Sequence, residues 1–375
     1  MSIRQETTAS SSGDNRNVKT LRLPVDPAHL DSVDARQAIA RAAEILRNGG
    51  LVALPTETVY GLGANALDAS AVARIFAAKQ RPAWDPIIVH IAGPVPINPM
   101  LDALTMASSA PVRKLMSAFW PGPLTLLLPR NAAVPDAVTA GRPLVGVRMP
   151  AHPVALELIR QAGVPIAAPS ANLFAHTSPT TAMHVLDDLE GRIDAVLDAG
   201  PTQHGVESTV LDPGQSPMMI YRPGAITAVQ IRGIGGPVTF YEDLTRLGAP
   251  PAGEALPSPG VGIRHYAPHA RVVLLDAALA ALPSRLSEQI TRHPAERIGV
   301  LLPTELSETV SPSSGIVLFP WGNWASPGEL AHNLYAGLRA LDAQGCTVIL
   351  CPLPPADGLG AAIRDRLLKA ADESL

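Results

Sequence analysis

From about residue 34 to residue 230, short apolar runs alternate with helical patterns, and several of the runs stop at a polar residue beside a proline. The runs are GLVALPT, PIIVHIA, LTLLLP, PLVGVRM, VPIAAPS, DAVLDAG, STVLD and MMIYRPG. Helical patterns lie between them, one ending at Lys79 and others near 111–119, 153–162 and 181–189. Runs this short bury as strands, and strands separated by helices fold as one α/β unit with a large sheet. Thirty-eight prolines, roughly twice the usual share, punctuate these elements and form no PxxP tract. The alternation breaks at 248–263, GAPPAGEALPSPGVGI, which has the composition of a linker. Beyond it ARVVLLD, RIGVLLPT, SGIVLFPW and CTVILCP alternate with helical segments near 277–291, 327–343 and 360–372, a second and smaller parallel α/β unit. The expected organisation is a disordered tail over 1–16, a first domain over 17–240, a Pro/Gly-rich linker over 241–269 and a second domain over 270–375.

The 375 residues are 47% hydrophobic, enough for two cores. No apolar run reaches the length of a transmembrane helix and the polar start has no apolar h-region, so the expectation is a cytoplasmic protein with no membrane contact. A net charge of -4 argues against a general coat for nucleic acid. Only 17% of residues are charged, so charges inside apolar segments are informative. Cys346 and Cys351 fall in one strand-like run at an odd separation, which places them on opposite faces with neither a disulfide nor a shared metal.

Lys79 continues the helical stripe of Val72, Ile75 and Phe76 and so leans toward the core, and Arg81 leaves the helix just before Pro82. Alone, such a lysine simply complements a helix dipole. Strand ends supply further polar groups: His90 on the face opposite Ile87, Val89 and Ile91, Arg148 before Met149 and Pro150, and Ser170 and Asn172 in APSAN. His90 alone reads as a satisfied core histidine, and Ser170 and Asn172 as caps or turn formers. Arg148 needs a buried anion, for which Glu57, Asp85 and Glu207 are available. Ligands of open α/β sheets gather beyond strand carboxyl ends, so Lys79, Arg81, Arg148 and Arg222 are expected to converge there as an anion pocket.

There is no GxxxxGK[ST] loop, HExxH, paired CxxC or GxSxG. GLGANA at 61–66 departs from a dinucleotide fingerprint, because PTETVY separates it from the strand; its glycines read as turn and close-packing residues. His265 and His269 lack a third ligand and read as a surface loop.

In order, PTETVYGLG, KQRP with PIIVH, FWPGPLTLLL, VRMPAHP, APSAN, GVESTV, RPGAI and SPG followed by RHYAP resemble the YrdC-type threonylcarbamoyl-AMP synthases that carry a C-terminal extension domain. The resemblance spans roughly 34–270 and implies an α/β fold: a YrdC-like twisted mixed sheet with helices, plus a smaller Rossmann-like α/β C-terminal domain. It implies a nucleotidyltransferase that makes L-threonylcarbamoyl-AMP and pyrophosphate from L-threonine, bicarbonate and ATP, for the threonylcarbamoyl modification of a tRNA adenosine next to the anticodon. Carried over residue by residue, it implies Lys79, Arg81, Ser170 and Asn172 as the catalytic phosphate-pocket set. ATP would further engage Asp85, the backbone near Leu144, Ser178, Arg222 and Tyr266. L-threonine would engage Thr58, His90, Arg148, the backbone at Ala168 and Ser208. Mg²⁺ would ride on the phosphates, with no protein metal site. A downstream tRNA threonylcarbamoyl transferase complex and a weak tRNA contact are the implied partners. The sequence departs from the family at Asp85, where Asn or His is usual, and in the LFAH turn after SAN.

Such a transfer needs positioning and charge neutralisation rather than a covalent nucleophile, and Tyr266 in the linker suggests a lid. The rival reading is a non-catalytic double-stranded RNA or tRNA-binding module of the same fold, against which the acidic net charge and the lack of an aromatic-interleaved basic patch weigh. A carbamoyl-phosphate-using transferase of this fold would need further domains.

Overall fold

A computed structural model of the chain describes residues 19–93, 109–241, 256, 258, 266–309 and 315–371. The tail over 1–16 and most of the linker lie outside the described residues. The strands of the first sheet are β1 (Leu21–Pro24), β2 (Val52–Leu54), β3 (Gly61–Asn65), β4 (Ile88–His90), β5 (Leu124–Pro129), β6 (Leu144–Arg148), β7 (Ile166–Ala167), β8 (Ala195–Asp198), β9 (Thr209–Asp212), β10 (Met218–Arg222) and β11 (Val238–Phe240). They form one sheet in the order β1-β8-β2-β3-β7-β4-β6-β5-β9-β10-β11. It is mixed: β4 runs parallel to β6 but antiparallel to β7, and β9 parallel to β5 but antiparallel to β10.

Helices α1 (Val33–Arg47), α2 (Ala69–Lys79), α3 (Ala110–Phe119), α4 (Asp136–Thr139), α5 (Pro153–Ala162), α6 (Ala182–Leu189) and α7 (Ala228–Gly235) flank this sheet. The first two begin at side-chain caps that satisfy otherwise orphaned amides. Ser32 accepts from the Ala35 amide at α1, and Asp68 from the Ser70 and Ala71 amides at α2. Apolar residues of α2, α3, α6 and α7 share one core cluster with Ala53, Val89, Val147 and Ala167. On the other face α1 and α5 cover β1, β8, β2, β3 and β7, through Ile39, Leu46, Leu158 and Ile159. Further along that second face, among the described residues, only a small group, Ile88, Leu127 and Val210, is buried together. Among the described residues the sheet therefore has one fully clothed face and one half-clothed face.

The glycines of GLGANA lie in β3 rather than in a turn. Their close-packing role holds, because a Cβ on Gly63 would stand 2.8 Å from Ile166 Cγ2 and 2.9 Å from Leu54 Cδ2. The run lacks the side chains whose alternation would mark a strand.

The second sheet is fully parallel, β12 (Arg271–Leu275), β13 (Ile298–Pro303), β14 (Ile316–Gly322) and β15 (Val348–Pro352), in the order β12-β15-β13-β14. Helices α8 (Leu282–Arg292), α9 (Pro327–Ala343) and α10 (Gly360–Ala370) pack on it. Cys346 and Cys351 are free and do not lie on opposite faces. Cys346 precedes β15, outside the alternation, and both belong to the cluster of Ile349 and Leu341, whereas Val348 and Leu350 face the other core.

The two units are not merely tethered. Val59 and Val206 of the first are buried in the same cluster as Tyr335, Leu338 and Ile363 of the second. Arg339 of α9 pairs with Asp188 of α6 at 3.1 Å and donates to the Thr177 carbonyl at 2.5 Å. Gly205, at φ +71°, lies so close to α9 that a Cβ would collide with the Ala331 carbonyl and the His332 backbone. Gly205→Ala should therefore destabilise the docked protein by about 2 kcal/mol or more, from left-handed strain plus backbone overlap. Thermal unfolding with limited proteolysis of the docked face reads this; unchanged melting and cleavage would show that the approach is not tight.

Candidate functional site

Strand register decides which side chains meet. His90 sits opposite Ile166 and beside Arg148, Gly146 beside Ile88 and Leu127, and Val210 beside Thr125 and opposite Arg222. Because pairing partners share a face, Ile88, His90, Arg148 and Arg222 all point to the half-clothed side. A pocket open to solvent lies over it. Its lining includes Thr58, Arg81, His90, Arg148, Ala168, Ser170, Ser208, Arg222 and Tyr266. Arg81, Arg148 and Arg222 of the expected group meet there, without Lys79, on a sheet face crossed by strands of both directions and not in a crevice beyond carboxyl ends. In a mixed sheet carboxyl ends do not share an edge, whereas side-chain parity is shared across every pair.

Three of the described arginines line the pocket, and each is held by fixed acceptors. Arg148 donates from Nε to the Gly122 carbonyl at 3.2 Å and from Nη1 to Thr58 Oγ1 at 3.0 Å, and its Nη2 lies 2.6 Å from Glu57 Oε1. Glu57 is the buried anion that Arg148 required. Burial pushes the Glu57 carboxyl up, but Arg148 and local hydrogen bonds outweigh this and hold it below its ordinary value. Arg81 meets Asp85 Oδ2 at 2.9 Å and donates to the Pro86 carbonyl at 2.9 Å. Asp85 is therefore spent on Arg81, from which it takes part of the charge offered to an incoming anion. Arg222 donates to the Ser208 carbonyl at 3.0 Å and to Ser208 Oγ at 3.1 Å.

Lys79 is fully buried at the end of the α2 stripe, but it does not line the pocket. Its ammonium donates to the Ser170 carbonyl at 2.5 Å and to the Asn172 carbonyl. Burial and the neighbouring Arg81 push its pKa well below the usual lysine value. Asn172 also lies behind the wall, donating to the Leu173 and His176 carbonyls at 2.8 and 2.7 Å. Together they hold the Ser170 loop and the LFAH turn. That turn is ordered by the Phe174 amide on the Lys79 carbonyl (2.8 Å), by Ala175 at φ +67° and by the Ala267 amide on the Ala175 carbonyl (2.8 Å). Leu144 lines a small neighbouring recess with Thr139, Arg142 and Gly146, which shares Pro86 and Ile87 with the main pocket.

Ser178 is fully buried and donates to Glu207 Oε1 at 2.6 Å, so it reaches the pocket through Glu207, which lines it. The Ala168 amide is bonded to the Ile88 carbonyl at 2.9 Å, leaving its own carbonyl as what this backbone can offer. Thr58 Oγ1 also meets Thr56 Oγ1 at 2.8 Å, and Ser208 Oγ meets Thr125 Oγ1 at 2.8 Å. Tyr266 arrives from the linker at φ +66°, buried, and Leu256 donates its amide to the Trp84 carbonyl at 3.0 Å. Sequence reading missed Tyr335 and Arg366 of the second unit, which bond Glu207 from behind. Nothing local marks them, since each sits in an ordinary amphipathic helix. His269 is exposed and paired with Asp342 at 2.8 Å, and among the described residues no group of three His, Cys, Asp or Glu is placed to hold a metal.

Comparison with known proteins covers almost the whole chain. A family model described as "Telomere recombination" (Sua5, YciO and YrdC) matches residues 44–224, and one described as "Threonylcarbamoyl-AMP synthase, C-terminal domain" matches 226–372. The threonylcarbamoyl-AMP synthase of Bacillus subtilis is 42% identical, over 94% of this chain and 98% of that protein. That of Pyrococcus abyssi is 40% identical over 88% and 93%. The crystal structure of P. abyssi Sua5 complexed with L-threonine superposes with a TM-score of 0.83 at 38% identity, over 94% of this chain and 98% of that one. A doubly substituted form of P. abyssi Sua5 superposes with a TM-score of 0.84 at 37% identity, over 94% and 96%.

His90 is buried with its Nδ1 unpartnered, and burial, then Arg148, bring its pKa down to about 3. A depressed histidine pKa contributes stability above pH 6.5 that is lost as pH falls from there toward 3, because the unfolded chain takes up the proton first. On that basis acidification from about pH 7 to about pH 5 removes on the order of 2 kcal/mol through His90 alone. Melting temperature against pH in wild type and His90→Gln checks this: the acid slope should be shallower in the variant, and equal slopes would refute it.

Proposed function

This chain belongs to the Sua5/YciO/YrdC family and carries the C-terminal domain of the threonylcarbamoyl-AMP synthases, and from that footing we propose how its own residues carry out the reaction. The enzyme is a nucleotidyltransferase that converts L-threonine, bicarbonate or CO₂ and ATP into L-threonylcarbamoyl-AMP and pyrophosphate, a step in threonylcarbamoyladenosine formation in tRNA. The observation that carries the assignment of roles is the grouping of Arg81, Arg148 and Arg222 on one sheet face around a single pocket.

In this reading Arg148 binds the threonine carboxylate, held at the right angle by Thr58, Gly122 and Glu57. The Ala168 carbonyl accepts from the threonine amine, and neutral His90 stands beside it without adding charge. Ser208 closes that end. Arg81 and Arg222 face the ATP phosphates, with Ser170 as a hydroxyl donor and the Leu144 recess beyond Pro86 and Ile87 taking the base. The carbamate formed on the threonine nitrogen attacks the α-phosphorus in line, and pyrophosphate leaves with its bond electrons. Lys79 and Asn172 act by fixing the Ser170 loop, and Ser178 by orienting Glu207. Glu57, Asp85 and Glu207 are each committed to an arginine and do not fit a protein-held metal, so Mg²⁺ enters as a companion of the phosphates and no step is assigned to it.

The catalytic domain is the 17–240 segment, and Tyr266 of the 241–269 linker lines the pocket and is the part that excludes water. Since the product feeds a tRNA modification, the enzyme works in the cytoplasm, hands its adenylate to a tRNA threonylcarbamoyl transferase complex and makes at most a weak tRNA contact. None of the described helices is long and apolar enough to cross a membrane.

Pyrophosphate release from ATP should require both L-threonine and bicarbonate; release that ignores either substrate sinks the scheme. Arg148→Lys keeps a cation beside Glu57 but loses the planar fork, so KM for threonine should rise about tenfold with KM for ATP unchanged. An unchanged KM for threonine would remove Arg148 from that role. Tyr266→Ala should shorten the lifetime of the adenylate on the enzyme, measured by mass detection in single turnover, and an unaltered lifetime would dismiss the lid.

A further inference from the structure

Glu207 presents a difficulty for any polyanion bound in this pocket. Its carboxyl lines the same wall as Ser208, Arg222 and Tyr266. Burial pushes its pKa up, but Arg366 and then Arg222 pull harder and leave it below the ordinary value, so the group is an anion at neutral pH. An unpaired carboxylate at that place opposes the phosphates.

The neutralising charge comes from the other domain. Arg366, on α10, has no solvent exposure of its side chain and donates from Nε to Glu207 Oε2 at 2.7 Å. Its Nη2 donates to the Pro223 carbonyl at 3.0 Å, and its Nη1 pairs with Asp365. Tyr335, on α9, donates to the same carboxyl at 2.9 Å. The Tyr266 ring is fixed by the same two groups: the Arg366 guanidinium stands 5.1 Å over its centroid, and the Tyr335 ring stacks at 5.8 Å. Both carboxyl oxygens of Glu207 thus have partners, and two of the three partner residues belong to the C-terminal domain.

We propose that Arg366, seconded by Tyr335, is a positioning residue for the nucleotide site: the C-terminal domain cancels and turns away the charge of Glu207 and seats Tyr266, so that the pocket accepts ATP. This rests on the assignment of ATP to the pocket. The docked C-terminal domain is then part of the nucleotide wall rather than an appendage.

The test is a charge cycle in the full-length enzyme. Arg366→Met leaves Glu207 charged and unpaired, so KM for ATP should rise about tenfold or more, with KM for threonine little changed. Adding Glu207→Gln to it removes the charge while an amide oxygen still accepts from Ser178 and Tyr335, and should bring KM for ATP back to within about threefold of wild type. Arg366→Lys keeps the charge and should also stay within about threefold. Should Arg366→Met alone fail to fold, the double variant and the lysine variant still decide. A double variant or a lysine variant with KM for ATP raised about tenfold overturns the proposal, as does a folded Arg366→Met with an unchanged KM. Wild-type pyrophosphate release is measured first: if it does not need threonine and bicarbonate, the functional assignment fails, whereas intact release with no coupling in the cycle defeats the positioning role alone.

Discussion

Burying a guanidinium is unfavourable by several kcal/mol unless an anion or several fixed acceptors are buried with it, and this requirement organises the site. Arg148 has Glu57, Arg81 has Asp85, and Arg222 has the Ser208 carbonyl and hydroxyl. Each arrangement ties a cation to a neighbouring loop or strand end. The half-clothed face of the first sheet tolerates charge because each guanidinium has an anion or fixed acceptors beside it before any substrate enters. The cations are therefore preorganised, and a bound anion meets them without waiting for side chains to assemble.

The elements themselves can be read from the chain where side chains carry the pattern. LTLLLP, PLVGVRM and 153–162 show their periodicity openly and fold accordingly. GLGAN does not, because glycine has no side chain with which to announce a strand. The convergence of His90 and Arg148 is legible as polar ends of apolar runs, but the face on which they meet depends on pairing directions that no single run contains. Lys79 is legible as a core-facing lysine, yet its attachment to the Ser170 and Asn172 carbonyls depends on a loop more than ninety residues away. Arg366 and Tyr335 lie beyond reach altogether: a helix stripe says that a face is buried, not which domain will bury it.

Close packing at glycine recurs where two pieces of the molecule must approach. Gly63 lets β3 lie against Ile166 and Leu54, so the strands under the pocket stay level. Gly205 lets the loop that carries Glu207 lie flat on α9. In both places the absent methyl group sets the spacing, and the spacing sets how far the neighbouring side chains can reach.

Arg366 lies on α10, after every strand of both sheets, whereas the carboxyl it meets belongs to the first domain. During synthesis the first sheet emerges and can fold well before α10 exists. A nascent chain at that stage lacks the partner that Glu207 finds on α10. On the proposed role of Arg366, the pocket is finished by a helix that leaves the ribosome long after the residues it serves, and competence for ATP waits until the second domain has been made and has docked.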